Sequence, residues 1–280
     1  CSLQLEHGGF KGGVMIKSRE ATIFNTGQVI LGLLRAYKEF KKDLYLNSAI
    51  KAGIFLEKTQ EKNGNWVKYC FNNVPHTYNT RVAWALLELF QLTKKEIFRK
   101  VAINNLNWAI KQVNENYWFT NNAFILNRNP LLHTISYAIR GFLESGIILE
   151  NEKYKTIALK SSLELLNIFE RDHFLPATFD SNWHSNDYYS CLTGNAQLAI
   201  IWFKLFQIYQ NNRFLVNAVK LNNYLKQNQI LNHKFKEIDG AIKGSDPIWG
   251  KYNPFRFPNW ATKFFCDSMM LEIKIQSKIY

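Results

Sequence analysis

Histidines, tyrosines and acidic residues recur just before, or just inside, the apolar helical segments of this chain. His76 and Tyr78 precede one such segment, His133 opens the next, and His184 and Asp187 precede a third. A histidine or tyrosine can remove a proton from carbon, provided that a neighbour neutralises the carboxylate that makes this proton acidic. We therefore take these five residues as the candidate catalytic residues.

Further aromatic and charged residues occupy the same segments. Arginines offer forked donors to carboxylate or sulfate groups, and flat aromatic rings can stack against sugar faces, bases or isoprenoids. Arg81 and Arg140 are the expected carboxylate partners. The candidate substrate-binding residues are Trp66, Arg81, Tyr137, Arg140, Trp183, Tyr188, Tyr189, Asp246, Trp249, Tyr252 and Arg256.

Other roles stay open for several of these residues. Hydrolysis of a glycosidic bond needs two carboxylates flanking it, which Asp180, Asp187 and Asp246 could supply. Glutamate is scarce in these segments, which makes hydrolysis the weaker option. Each histidine at a helix start could instead cap or pack, Trp183 and Trp249 could simply fill space, and Asp180 could form a turn.

The net charge of the chain limits the classes of molecule that it is expected to bind. The 280 residues include 47% hydrophobic and 20% charged residues, ordinary for a soluble globular protein, and carry a formal net charge of +13. A basic surface favours polyanions, namely nucleic acid, an anionic membrane, or an acidic polysaccharide or oligosaccharide. Solubility alone is the other explanation of this charge. The lysines form no stripe, which disfavours nucleic acid. No apolar run approaches the ~20 residues that cross a bilayer, and the bacterial cytoplasm and the cell envelope both fit.

The four cysteines show no spacing typical of a metal site. We accordingly expect neither a metal nor a cofactor.

A repeat of roughly 55 residues organises the chain. Thr26, Thr80, Thr134 and Thr193 each stand at the start of an apolar helical segment, at intervals of 54, 54 and 59 residues. Threonine is a good helix N-cap, so we expect it to cap each of these helices. A fifth helix is expected to begin near Asn259, after a proline.

Two kinds of helix alternate along the repeat. The threonine-led helices are apolar nearly all round and must be buried on every side, whereas residues 97–113, 152–169 and 213–228 have one apolar stripe. Short links follow the inner helices, and long links precede them. Loops of such length inside a compact domain are usually functional. The pattern predicts an all-α fold, an α/α toroid of about five helical hairpins with its long loops at one end.

A glycine-rich turn recurs within the long links. Gly8 to Gly13 matches Gly240 to Ser245 almost position for position, with looser versions at 63–66 and 179–183. Glycine permits the turn, and the following apolar residue can fill the end of the ring. Five inner helices have only four outer partners, so we expect residues 1–280 to form one domain of a longer polypeptide, with additional domains possible.

The glycine-aromatic turn followed by a threonine-led inner helix resembles the repeats of the squalene cyclase and protein prenyltransferase superfamily. The aspartate-rich acid motif of the cyclases and the zinc-binding set of the prenyltransferases have no counterpart here. The chain is also similar to the helical domains of polysaccharide lyases, uronyl epimerases and six-hairpin glycosidases, whose loops share its histidine, tyrosine, tryptophan and arginine content. The resemblance implies a toroid fold and, by analogy, action on carbohydrate.

These observations predict a protein acting on an acidic, uronate-containing polysaccharide by lyase or C5-epimerase chemistry, and favour an enzyme. One alternative is a toroid that handles isoprenoids. The other is a non-catalytic module that binds glycan or protein.

Overall fold

The structure is a computed structural model that describes residues 1–12 and 20–279. The chain divides into two compact units, Cys1–Arg128 with Arg140–Ala158 (unit 1) and Asn129–Ile139 with Leu159–Tyr280 (unit 2). Every helix in the described ranges is too short or too polar to cross a membrane.

Nine α-helices run through the described residues, and together they confirm the predicted all-α class. They are α1 (Ile23–Phe40), α2 (Asp43–Lys58), α3 (Thr80–Thr93), α4 (Glu96–Ile110), α5 (Leu132–Ile148), α6 (Glu152–Asp172), α7 (Leu192–Tyr209), α8 (Asn212–Gln227) and α9 (Asn259–Ile279). Two-residue strands β1 (Ser190–Cys191) and β2 (Ser245–Asp246) pair antiparallel.

Nearly fully buried and amphipathic helices alternate from α3 to α8, whereas α1, which was also predicted to be buried on every side, has several exposed residues, and so does α9. In α7 every residue from Leu192 to Phe203 is buried, so this helix has no polar face to expose. Within unit 1, α1 packs against α2 and α3, and α3 packs against α4; within unit 2, α7 packs against α8 and α9. The described residues thus contain four hairpins and the single helix α9, which begins at Asn259 as expected.

The predicted threonine caps are wrong, although the helices begin close to those residues. The N-cap positions of α1, α3 and α7 are Thr22, Asn79 and Cys191, and none of them accepts a side-chain cap hydrogen bond. Thr26 lies in the first turn of α1, where its hydroxyl donates to the Thr22 carbonyl and accepts from the Phe10 amide. The threonine therefore ties the preceding link to the helix.

The glycine turn repeats with a fixed backbone geometry. In each turn, the carbonyl oxygen of the first residue accepts a hydrogen bond from the amide three residues later, and the amide of the first residue donates to the carbonyl oxygen four residues later. These first residues are Leu5, Glu61, Asn114 and Asp180. The residue that completes each turn has a positive φ, and these residues are Gly8, Gly64, Tyr117 and Trp183. Trp183 therefore occupies the glycine position of the turn rather than the predicted apolar position. Gly13, the last residue of the predicted motif, lies outside the described residues.

Glycine at this position lets the turn lie directly on an outer helix. A Cβ on Gly64 would overlap the Asn104 carbonyl of α4. The Gln60 amide donates to the Gly64 carbonyl at 3.0 Å and to the Val101 carbonyl at 2.9 Å. Gln4 makes the same pair of bonds in the first turn, to the carbonyls of Gly8 and Ser48.

The apolar residue after the turn is buried, as predicted. Phe10, Trp66, Phe119 and Ile242 are all at most 5% exposed. The Ile242 amide donates to the Thr262 hydroxyl of α9, which parallels the bond from Phe10 to Thr26. These links consequently hold the side chains that precede each inner helix in fixed positions.

Candidate functional site

A histidine and two tyrosines meet at the start of α5 in unit 2. The His133 ring centroid lies 4.4 Å from that of Tyr137 and 5.6 Å from that of Tyr252. All three side chains are buried to within a few per cent. Together with Gln197 of α7 they form what we call the His133 cluster.

Gln197 fixes the protonation pattern of the histidine. Its amide nitrogen lies 2.6 Å from His133 Nδ1, and also within reach of the carbonyl oxygens of Thr193 and His133. A nitrogen that faces two carbonyls is a donor, so Nδ1 accepts and the neutral ring carries its proton on Nε2. His133 is therefore set up to donate a hydrogen bond from Nε2.

The second tyrosine of the cluster is held as a neutral phenol. The Trp260 indole donates to the Tyr252 hydroxyl at 2.8 Å. Burial raises the pKa of Tyr252 above its ordinary value. This ring therefore packs and positions its neighbours rather than taking up a proton.

Two arginines meet one tryptophan in unit 1, in an arrangement that we call the Arg-Trp cluster. The guanidinium carbons of Arg81 and Arg140 each lie 5.3 Å from the centre of the Trp84 ring. Arg140 Nε is 2.5 Å from Glu144, and Arg81 Nε donates to the amide oxygen of Gln28. The two guanidinium groups are the kind of forked donors that bind carboxylate and sulfate groups.

The predicted pair His76 and Tyr78 comes together but lies inside unit 1. Their rings stack at 4.5 Å with 13° between planes, and the side chains are 2% and 3% exposed. His76 Nε2 contacts the Phe71 carbonyl oxygen at 2.9 Å, and burial lowers the pKa of His76 below 6.5. This pair packs into the link before α3, and its catalytic role stays a prediction.

Three other predicted binding residues are also core residues. Trp66 is fully buried, and its indole donates to the Leu56 carbonyl. Trp183 packs edge-on against Phe179 at 5.9 Å. Tyr189 is 3% exposed, and burial raises its pKa. All three side chains pack in the core, and their binding role stays a prediction.

The link before α7 presents the remaining residues of the fourth repeat. His184 and Tyr188 are exposed, and Asp187 accepts a hydrogen bond from the Thr178 hydroxyl at 2.6 Å. Asp180 accepts the amides of Asn182 and His184, so it is the turn-forming residue that the sequence allowed.

Asp246, in β2, is tied to residues that the sequence did not single out. Its carboxylate accepts the Tyr224 hydroxyl at 2.7 Å and the Lys243 ammonium at 3.0 Å. Burial acts to raise the pKa of Asp246, but these two hydrogen bonds hold it below its ordinary value. An ionised, paired carboxylate cannot act as an acid. Trp249 and Arg256 are exposed.

Sequence analysis missed Trp84, Glu144 and Gln197. Glu144 follows Arg140 by one helical turn, a spacing typical of ion pairs, so it could have been found. Trp84 and Gln197 lie within nearly unbroken apolar runs, where nothing local separates a functional residue from a core residue. The prediction that residues from several repeats form one site stays a prediction.

No family model matches the chain, and no curated protein matches its sequence. Among solved structures, it is similar to the unsaturated glucuronyl hydrolase of Bacillus sp. GL1, described as responsible for degradation of glycosaminoglycan (TM-score 0.69, 13% identity, 88% of this chain and 73% of that one). It is also similar to the cellobiose 2-epimerase of Bacillus thermoamylovorans (0.66, 14%, 90% and 72%) and to a polysaccharide lyase (0.72, 10%, 98% and 80%).

The likeness to these structures confirms the fold class, the α/α toroid, and the predicted resemblance to polysaccharide lyases and epimerases. All three proteins are enzymes that are named for carbohydrate chemistry. At these identities the likeness extends to the fold and no further.

Proposed function

We propose that this chain is a carbohydrate-active enzyme that acts on a uronate-containing polysaccharide. Its chemical step is removal of the proton next to the uronate carboxylate. The fold likeness to a glucuronyl hydrolase, an epimerase and a polysaccharide lyase supports the substrate class. The charge of +13 and the Arg-Trp cluster favour an acidic substrate over a hydrocarbon.

The observation that carries the proposal is the His133 cluster. A proton at C5 becomes acidic enough to leave when donors neutralise the charge that develops on the carboxylate. His133, with its proton on Nε2, is such a donor. Tyr137 packs against the same ring, and its phenolate form is the base that takes the C5 proton and becomes a phenol.

The resulting carbanion has two outcomes. If the C4–O4 bond breaks, its electrons leave with the glycosidic oxygen, which takes the proton that Tyr137 removed from C5, and the product gains a C4–C5 double bond. If water instead supplies a proton to C5 from the opposite face, while Tyr137 loses its proton to water, the product is the C5 epimer. Neither route requires a second carboxylate, unlike hydrolysis.

Turnover of polygalacturonate, alginate and chondroitin sulfate tests the proposal, with the unsaturated product followed by absorbance and the epimer by proton NMR. We expect Tyr137→Phe and His133→Gln to lower kcat roughly a hundred-fold, as loss of an acid-base group does. The matched control Tyr45→Phe removes a phenol from the outer helix α2 and should leave kcat unchanged. Binding without turnover of any polymer would favour the non-catalytic glycan-binding module instead.

Hydrolysis is a second candidate, favoured by the glucuronyl hydrolase among the similar structures. Asp187 is its natural carboxylate, since it is half-buried and contacts Thr178 through a single short hydrogen bond. A hydrolase would yield a product without a new double bond, and Asp187→Asn would abolish its activity.

A further inference from the structure

A pocket of unit 1 is lined by residues that the proposed chemistry does not use. Its volume is 430 Å³, within the range of about 300–1,000 Å³ that is usual for small-molecule sites. His7, Phe55 and Tyr69 supply an aromatic floor, and Lys58, Glu61 and Lys68 stand around it. We call it the Tyr69 pocket; it shares no residue with the His133 cluster or the Arg-Trp cluster.

The aromatic floor is held firmly. The His7 ring stacks on Phe55 with centroids 4.8 Å apart and 20° between planes, and Phe55 lies 5.4 Å from the Tyr69 ring. Phe55 is 3% exposed and anchors the floor to the core. His7 Nδ1 accepts the Gly9 amide, so the neutral ring carries its proton on Nε2.

Tyr69 of this pocket has an uncommon backbone conformation. Tyr69 has a φ of 66°, a conformation that is uncommon for a residue other than glycine. The Ile23 amide, at the start of α1, donates to its carbonyl oxygen at 3.0 Å and holds it there.

The charges around the floor favour an acidic ligand that also carries hydroxyl groups. Lys68 Nζ lies 4.9 Å from the Tyr69 ring centre, and Lys58 is in the last turn of α2. Neither lysine forms an ion pair with a carboxylate in the described part of the chain. Glu61 adds one carboxylate, which can accept hydrogen bonds from hydroxyl groups.

We infer that the Tyr69 pocket binds one acidic sugar residue of the polymer. The ring face of the sugar lies on Tyr69 and His7, its carboxylate or sulfate meets Lys58 and Lys68, and its hydroxyls meet Glu61. The choice of a uronate rests on the proposed function. A second point of attachment on the same chain would raise the affinity for a polymer without adding any contact at the chemical site.

Titration of the full chain with tetragalacturonate tests this inference, with cellotetraose as the neutral probe. Binding is followed by calorimetry and by the NMR signal of the His7 ring, assigned among the six histidines with His7→Gln. Tyr69→Asn removes the ring with a residue that tolerates positive φ. Lys58→Ala with Lys68→Ala removes the two charges, and Lys42→Ala with Lys100→Ala is the charge-matched control.

We expect tetragalacturonate, and not cellotetraose, to shift the His7 signal. Tyr69→Asn and the Lys58/Lys68 pair should each raise Kd roughly ten-fold, whereas the Lys42/Lys100 pair should stay within about two-fold. An unmoved His7 signal at millimolar probe, or equal affinities in all variants, overturns the inference.

Turnover separates this result from the proposed function. If Tyr69→Asn raises KM for a polymer and leaves kcat unchanged, both proposals stand. Polymer turnover with an unmoved His7 signal would remove the Tyr69 pocket alone. Binding at the pocket without turnover of any polymer would remove the enzymatic proposal and leave the pocket.

Discussion

Arg140 and Glu144 form the most buried ion pair of unit 1 for which the structure gives a distance. They show that a buried charge needs a partner of opposite charge. Their side chains are 14% and 9% exposed, and both lie on α5 one turn apart. A charge in this setting is tolerated because its partner compensates for lost hydration. The pair therefore keeps a guanidinium beside Trp84 without leaving a bare charge in the protein.

Removing one partner should expose that dependence. We expect Arg140→Met to lower the free energy of unfolding by about 3 kcal/mol, because Glu144 is left buried without its cation. The double variant Arg140→Met with Glu144→Met should recover most of the loss. Urea unfolding of the wild type, both single variants and the double variant gives the coupling energy. A coupling near zero would mean that the pair contributes no more than an exposed one.

His76 should make the stability of unit 1 depend on pH. Burial lowers the pKa of the folded side chain below the ordinary value of 6.5. The unfolded chain then binds a proton that the folded chain refuses, so stability falls as the pH drops through 6.5 and the loss levels off below the folded pKa.

Urea unfolding at pH 7.5 and pH 5.5 checks this, with His76→Gln as the comparison because glutamine can still donate to Phe71. The wild type should lose more stability than His76→Gln on acidification. Equal losses would show that His76 titrates normally and that the acid sensitivity lies elsewhere.

At the scale of elements, the repeated turn sets how each link meets its outer helix. Gly64 and Gly240 both have positive φ, at 94° and 83°. Only Gly64 faces a backbone atom, the Asn104 carbonyl, whereas a Cβ on Gly240 would meet nothing within 4 Å. Substitution of Gly240 therefore tests the cost of backbone strain alone, whereas substitution of Gly64 tests backbone strain together with steric overlap.

Alanine at each glycine should show the difference. Gly240→Ala should cost about 1–2 kcal/mol, the ordinary penalty of a left-handed residue. Gly64→Ala should cost clearly more, because the turn must also move away from α4. Thermal and urea unfolding measure both. Equal costs would mean that the turn shifts freely and does not fix the link.

The elements show where sequence reasoning succeeds and where it stops. The alternation of buried and amphipathic helices from α3 to α8 followed from apolar periodicity, and α9 begins at the predicted residue. The threonine caps failed because the hydroxyl of Thr26 serves a residue 16 positions earlier, a tertiary contact that no local pattern encodes. The spacing Gln-x-x-x-Gly at Gln4 and Gln60 was visible, and it marks the turn better than glycine alone.

The residue types of the candidate site could be predicted from the sequence, but their burial and their partners could not. The helical pattern placed His133 and Tyr137 on one helix face, and Arg81 and Arg140 on inner helices. It could not show that Trp66 and His76 are buried, because aromatic residues fill cores and line sites alike. Nor could it find Tyr224 as the partner of Asp246, since the two lie 22 residues apart and meet only in the fold.

At the scale of the whole molecule, the charge of +13 should govern how the chain meets a polyanion. Exposed lysines act over a distance that salt shortens, from about 10 Å at 0.1 M to about 3 Å at 1 M. We expect binding of a uronate polymer to weaken steadily with added sodium chloride, while binding of a neutral glucan stays unaffected. A salt-independent affinity for the uronate polymer would indicate that charge has no part in recognition.

The central claim is that this chain removes the C5 proton of a uronate, and release of label from C5-deuterated polymers tests it most directly. Lyase and epimerase chemistry both break this C–H bond, whereas hydrolysis and simple binding leave it intact. We expect wild-type protein to release deuterium into water from at least one of polygalacturonate, alginate and chondroitin sulfate, and Tyr137→Phe to release none. Retention of all the label by every polymer would show that this chain does not remove the C5 proton.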